Sequence, residues 1–412
     1  MWAGCSDRRA ADDRPSPSPV TLTYMHMGVS SDGRDNNGYV TRTFPEKAAE
    51  RYPGIRVKTE MLPEDAYTKS LLMQLSAGEG PDFFEWWPLK QLEGLVRADY
   101  LIDLTGMDIL EPFSPEELEG FTVDGRVYGL PKGFSMMGAW VNEDLLAKHG
   151  IRDWPRDWEA FLSACETLKR AGVTPIVMPD KDWWSLQFGL YPLAASIVYP
   201  DDPDFDKGLL DGTRTFAGSK WREVLDKYKL LYDRGYIGEG SLETGGAQAA
   251  ASFNDGRAAM VFGGNWDYGS LTLPGDAPFQ RSFMPLPGND PGEPLVLSVG
   301  PAGGTVINKS TRNLPDVLDV MAYQYSPSSP LYQEFRRQYR AFPSRKGEDV
   351  GIAEFEEYSA LMRTLESVPF SNQAWPVGVA ETLCVGFQDW IAGQGSADAI
   401  LEAMDRAMEK LR

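Results

Sequence analysis

The chain has 412 residues, more than a single hydrophobic core encloses, so two lobes or domains are expected. Sixty Asp and Glu against 40 Lys and Arg leave a formal charge of −20, a surface that would repel phosphate backbones and anionic lipid. Hydrophobic residues at 42% argue for a folded globular protein, and no apolar run reaches the roughly 18 residues of a membrane-spanning helix.

The first 19 residues read as a tether: MWAGCS leads into DRRAADDRPSPSP, a polar Pro/Ser-rich stretch without periodicity. Ala3-Gly4-Cys5 resembles the end of a bacterial lipoprotein signal, where cleavage before the cysteine leaves it to be lipidated, although Trp2 stands where an aliphatic residue is usual. From Val20 the pattern is regular. Val20 to Met27 reads as a strand, Phe44 to Arg51 as a helix stopped by Pro53-Gly54, and Ile55 to Met61 as a second strand. Pro63 opens a helix with Tyr67, Leu71 and Leu75 on one face, PDFFEWW follows as a third strand, and a helix comes near Leu89 to Arg97. This βαβαβα order is the mark of a mostly parallel sheet covered by helices.

A second block of the same kind starts after Gly129-Leu130-Pro131. It reads as a strand at Gly138 to Asn142, a helix at Glu143 to His149, and a helix capped by Asp157. That capped helix turns Trp158, Phe161, Leu162, Cys165 and Leu168 inward, and Val173 to Met178 follows as a strand. Trp221, Val224, Leu225, Tyr228 and Leu231 keep helical spacing, which assigns them to core. Ala258 to Gly263 and Gly303 to Asn308 read as strands, Pro315 to Tyr325 as a helix, and the segment from Val377 as two helices split at Gly393-Gln394-Gly395.

In open α/β sheets ligands lie beyond the carboxyl ends of strands. Four clusters sit there or in nearby loops: Glu85-Trp86-Trp87, Asp182-Trp183-Trp184, Asn265-Trp266-Asp267-Tyr268 and Asn372-Gln373-Ala374-Trp375. Each sets an aromatic ring beside a carboxylate or amide. Sugar recognition needs that pairing, since a ring face covers pyranose C–H groups while hydroxyls bond to charged acceptors. Gly263-Gly264 would let backbone approach a ligand. The three cysteines have no CxxC spacing, only His26 and His149 are present, and no HExxH, P-loop, GxGxxG or GxSxG motif occurs, so neither metal nor cofactor is expected. A glycosidase needs only two carboxylates, and Glu85 with Asp267 would serve as such a pair.

The order of these stretches resembles the extracellular solute-binding proteins of carbohydrate ABC transporters, the family that includes maltose-binding protein. PDFFEWW, VYGLPKGFSMMGAWVNEDLLAKHGI (127–151), PRDWEAFLSACETLKRAGVTPI (155–176) and FNDGRAAMVFGGNWDYGSL (253–271) carry the likeness, which covers roughly residues 20 to 410. It implies an α/β, two-lobed periplasmic-binding-protein fold (type II-like), each lobe a mostly parallel sheet flanked by helices, with a sugar cleft at the hinge. The lobes would be 20–130 with 285–318 and 131–284 with 319–412, after a tether at 1–19. Carried over by position, Trp86, Trp184, Trp266 and Trp375 stack on sugar, and Glu85, Asn265 and Asp267 hydrogen-bond to it. Phe134 lines the cleft at the hinge, Asn36 and Arg34 reach it from a long polar loop, and Trp87 before Pro88 wedges the loop. Lys132, Met136 and Met137 depart from the family's usual residues at the hinge crossing. The resemblance implies a monomeric binding protein rather than an enzyme, lipid-anchored through Cys5 outside the cytoplasm. It would deliver a mono- or oligosaccharide to a membrane permease. Alternatives are a glycoside-processing enzyme or a carrier of peptides or polyamines.

Overall fold

Val20–Met27 (β1) alternates as a two-faced strand should. Leu22 and Tyr24 enter one core and Met25 the other. In the computed structural model, which describes residues 19–28, 38–271, 278–339 and 351–411, β1 is flanked by two parallel strands, Ile55–Leu62 (β2) and Phe83–Trp86 (β3). The start of β3 is pinned by Asp82, whose carboxylate accepts from Thr23 N at 2.7 Å, Thr23 Oγ1 at 2.8 Å, Thr311 Oγ1 at 2.6 Å and Asn313 Nδ2 at 3.1 Å. After Gly129–Pro131 (β4) the chain crosses to a second sheet through Lys132-Gly133.

The second sheet is built on Phe134–Asn142 (β5). Residue parity decides its faces: Met137, Ala139 and Val141 point into one core, Met136 and Trp140 into the other. Thr174–Val177 (β6) and Ala258–Gly264 (β7) pair in parallel, while β7, Arg281–Met284 (β8) and Leu297–Pro301 (β9) each run antiparallel to β5. This sheet is therefore mixed where repeated βα units alone predict a mostly parallel one. Ala302-Gly303 returns the chain to the first sheet, where Gly304–Ile307 (β10) lies antiparallel to β3 and β4. The short Ser367–Val368 (β11) then edges the second sheet beside β9. Strand orders are β2-β1-β3-β10-β4 and β11-β9-β5-β7-β6, with β8 also on β5.

Helices cover both faces of each sheet. On the first, the helix Glu64–Ser76 brings Tyr67, Leu71 and Leu75 to one face and Phe44–Arg51 brings Phe44 and Ala48 to the other. On the second, Trp158–Arg170, Trp221–Asp233, Val379–Ile391 and Ala397–Leu411 pack on one core, with Asp157 Oδ1 accepting from Ala160 N as the expected cap. Cys165 and Cys384 are plain core thiols there, and burial raises the pKa of both.

Two expected lobe boundaries move. Residues 285–301 belong to the second lobe, because β9 pairs with β5 and Leu297 and Val299 bury against Met136 and Phe355. The first lobe extends past 318, because Val317, Val320 and Met321 form one stripe of the helix Leu314–Tyr325 on the core of β1, and Leu331 and Phe335 of Pro330–Tyr339 follow them. By Ile352 the chain is back in the second lobe.

Trp221 is fully buried, its ring centroid 6.0 Å from Phe216 and 5.4 Å from Trp375. Trp221→Ala is expected to cost about 3–5 kcal/mol of stability in denaturant unfolding, the range for deleting a large core ring.

Candidate functional site

The two chain crossings lie side by side. Lys132 N donates to Gly303 O at 3.2 Å and Ala302 N to Gly133 O at 2.8 Å. Around them opens a cleft of about 290 Å³, walled by aromatic rings from both lobes. On the second lobe, Trp184, Phe188, Trp266 and Phe370 succeed one another with centroids 5.6, 5.8 and 6.1 Å apart. Opposite them on the first lobe, Trp87 lies 4.9 Å from Trp86 and 6.2 Å from Tyr67, edge to face with both. Trp87, Trp184 and Trp266 are half-buried, so each ring still has surface to offer. Gly264 makes room for one of them: a Cβ there would collide with the Trp266 ring, so this glycine serves the protein's own side chain rather than ligand approach.

The cleft floor is ionic. Glu85, at the end of β3, meets Lys132 Nζ at 2.9 Å and His26 Nε2 at 2.5 Å, and Lys132 Nζ lies 2.9 Å from His26 Nε2. Burial would raise the pKa of Glu85, but the charges of His26 and Lys132 outweigh it and lower it to about 2. For Lys132, burial prevails over the attraction of Glu85 and lowers the pKa. Tyr67 supports the floor by donating its hydroxyl to the Glu85 carbonyl. Amides complete the polar lining. Asn265 Oδ1 accepts from Met136 N at 2.9 Å, tying β7 to β5 at the cleft, and Asn372 Nδ2 donates to Gln187 Oε1 at 3.3 Å. Gln373 Nε2 donates to Pro301 O at 2.8 Å, and the buried Asn372 Oδ1 and Gln373 Oε1 accept no protein hydrogen bond among the described residues.

Of the expected site residues, Glu85, Trp184, Asn265 and Trp266 converge on this cleft. Trp86 touches it but is 3% exposed and spends its indole N–H on Gln91 O at 2.9 Å, because it shares strand parity with Phe84 and follows it into the core. Of the pair, Trp86 is thus committed to core and Trp87 is the ring with surface on the cleft. Phe134 is on the face of β5 that packs toward Met136 and Trp140, and Ser135 and Met137 line the cleft instead. Asp267 turns back as a cap, accepting from Gly264 N at 2.8 Å, and does not line the cleft. Trp375 is fully buried and donates to Asp206 Oδ1 at 2.9 Å, while Tyr199 donates to Asp206 Oδ2 at 2.8 Å and lies 3.1 Å from Ser371 Oγ. It clamps the loop that carries Asn372 and Gln373. Asn36, Arg34 and Cys5 lie outside the described residues. Sequence reasoning missed the His26–Lys132 contact, which joins residues 106 positions apart, and the lining role of Gln187. The unusual Lys132 at the hinge was the one available signal for the first.

Known proteins agree with this architecture. The profile of the bacterial extracellular solute-binding protein family matches residues 37–329, and the chain belongs to that family. It is 22% identical over 328 residues to the multiple sugar-binding protein of Streptococcus mutans, covering 78% of this chain and 74% of that one. It is 25% identical over 250 residues to an ABC transporter extracellular-binding protein of Pyrococcus horikoshii, covering 59% of this chain and only 56% of the relative. Among solved structures, a chitin oligosaccharide binding protein superposes with a TM-score of 0.83 at 22% identity, covering 95% of this chain and 99% of that one. A sugar transporter from Bacillus licheniformis in complex with stachyose gives 0.79 at 19%, covering 95% and 100%. At these identities the likeness establishes the two-lobed fold.

Buried acids set an expected pH response. Burial raises Asp180 and Asp206 to about 6 and Asp267 to about 7, against hydrogen bonds that lower them. The folded chain then holds these protons more tightly than the unfolded chain, so the associated stability is present at low pH and is lost as pH rises from the ordinary Asp range through 6 to 7. Glu85 acts in the opposite sense, losing its contribution only as pH falls from the ordinary Glu range toward 2. The melting temperature is expected to fall between about pH 5 and about pH 7.5, with a shallower fall in Asp267→Asn. A melting temperature that climbs over this interval would contradict the assignment.

Proposed function

We propose that the cleft binds a mono- or oligosaccharide and that the chain delivers it to an ABC importer. The observation that carries this reading is the pair of aromatic walls, Trp87 on one lobe and Trp184 with Trp266 on the other, facing a floor of carboxylate and amide groups. A pyranose offers apolar C–H faces to both walls, and its hydroxyls donate to Glu85, Asn372 Oδ1 and Gln373 Oε1. Bonds to the carboxylate are the stronger ones. The names of the relatives, a multiple sugar-binding protein and a chitin oligosaccharide binding protein, support the same ligand class. Closure of the lobes over the sugar would exclude water from these contacts.

A binding role fits the carboxylates better than catalysis. A glycosidase acid needs a carboxyl with a raised pKa facing the substrate, whereas Glu85 is held ionised and Asp267 is spent on a cap. Against a polyamine carrier, the carboxylate on the cleft floor, Glu85, is already paired with Lys132.

A thermal-shift screen of mono- and oligosaccharides tests the ligand class, since a ligand of the folded state raises the melting temperature. With the ligand found, Trp87→Ala and Trp266→Ala should each weaken binding by about 0.5–1.5 kcal/mol in calorimetry. Trp375→Phe should lower the melting temperature and leave affinity nearly unchanged. Equal affinity in both alanine variants would remove the stacking role.

The protein would work as a monomer outside the cytoplasm, held at the membrane by lipid on Cys5. The Ala3-Gly4-Cys5 stretch and the polar segment behind it support this. Expressed in a bacterial host with labelled palmitate, the chain should take up label and Cys5→Ser should not.

A further inference from the structure

We propose that Lys132 is the charge filter of the cleft: coupled to Glu85, it presents a neutral donor–acceptor pair that grips a vicinal diol and turns ligand ammonium groups away. This rests on the reading of the cleft as a sugar site.

The cleft contains the parts of an ammonium receptor. Trp87, Trp184 and Trp266 offer π faces, and Glu85 and Asp182 bring carboxylates from opposite lobes. Rings and acids in that combination attract organic cations, most strongly where water is excluded. Lys132 opposes this. It is the one cationic side chain among the described residues lining the cleft, and it is 8% exposed. Its ammonium sits 2.9 Å from Glu85 Oε1, so a ligand cation seeking that carboxylate would approach a charge of its own sign.

The ammonium is built into place. Its backbone is fixed by the paired crossings, Lys132 N to Gly303 O and Ala302 N to Gly133 O. Gly303 leaves the space Glu85 uses to reach it, since a Cβ there would stand 2.9 Å from Glu85 Oε1. Behind them His26, 1% exposed, closes the cluster. Its Nδ1 lies 2.5 Å from Met27 O, which can only accept, so that nitrogen carries a proton, while Nε2 faces both Glu85 and Lys132.

A hydroxyl pair satisfies the Glu85–Lys132 pair without bringing a charge of its own. One hydroxyl donates to Glu85 and its neighbour accepts from Lys132. A ligand amine that approached the same carboxylate would meet Lys132. The filter thus passes neutral sugars and turns ammonium groups away, although the chain as a whole carries −20.

The test is calorimetric titration with spermidine and with a panel of neutral oligosaccharides (chitin oligosaccharide, raffinose and stachyose). It uses the native chain, Lys132→Met, Lys132→Gln, Lys132→Arg and the double variant His26→Gln/Lys132→Met, each checked for folding by circular dichroism. The native chain and Lys132→Arg should show no spermidine binding. Lys132→Met or Lys132→Gln should gain it by roughly tenfold or more, and the double variant further, as expected when a like charge is removed from a binding surface. Spermidine binding by the native chain as tight as by Lys132→Met would overturn the filter, and so would the absence of any gain in the folded variants. Gain of spermidine with no sugar bound by the native chain would keep the filter and remove the sugar reading. Sugar binding by the native chain without that gain would do the reverse.

Discussion

Two antiparallel backbone hydrogen bonds, from Lys132 to Gly303 and from Ala302 to Gly133, hold together the only stretches of described chain that pass between the lobes. Each lobe has its own sheet and its own cores. The relation between the sheets, and with it the cleft, is constrained where these segments touch. The ionic cluster is placed at the same point. Lys132 belongs to one crossing, Gly303 in the other gives Glu85 its room, and His26 lies one residue before the end of β1. A buried ion pair is costly to desolvate and weak evidence of stability in itself. At this position it fixes which atoms face the cleft floor and in what charge state.

The division of tryptophans between core and cleft follows from parity and anchoring rather than from residue type. Trp86 and Trp87 differ by one position, and that step sends the first inward with Phe84 and leaves the second against Tyr67 and the open cleft. Trp375 is tied inward by a buried carboxylate, Asp206, while Trp266 follows a glycine that clears space for its ring. An indole N–H already bonded inside the protein, as in Trp86 and Trp375, marks a ring committed to structure.

Much of the fold could be read along the chain. Regular periodicity located the strand at Val20, the Asp157-capped helix and the Trp221 stripe closely, because burial on one face leaves a repeating trace. The lobe boundaries could not be read this way, since Leu297 and Val299 are equally apolar whichever sheet they join, and pairing with β5 decides it. Most of the expected site also stood in segments with no period. Asp267 and Trp375 have the right chemistry for a sugar and the wrong orientation, which hydrogen bonds to Gly264 and Asp206 impose. The floor was hidden for a different reason. Its three titratable members, His26, Glu85 and Lys132, are far apart in sequence, and only strand pairing and the first crossing bring them together.

The loop from Ser371 to Trp375 has a further consequence. Its ends are fastened into the second lobe by Tyr199 and Asp206, while Asn372 and Gln373 between them face the cleft. The clamp falls on the ends of the loop, while the middle pair holds it only through its amide N–H groups, to Gln187 and Pro301, and keeps its amide oxygens without a protein donor among the described residues. An exchange of the middle pair would therefore alter the lining of the cleft as a cartridge does, giving up two amide bonds and leaving the Asp206 clamp underneath in place.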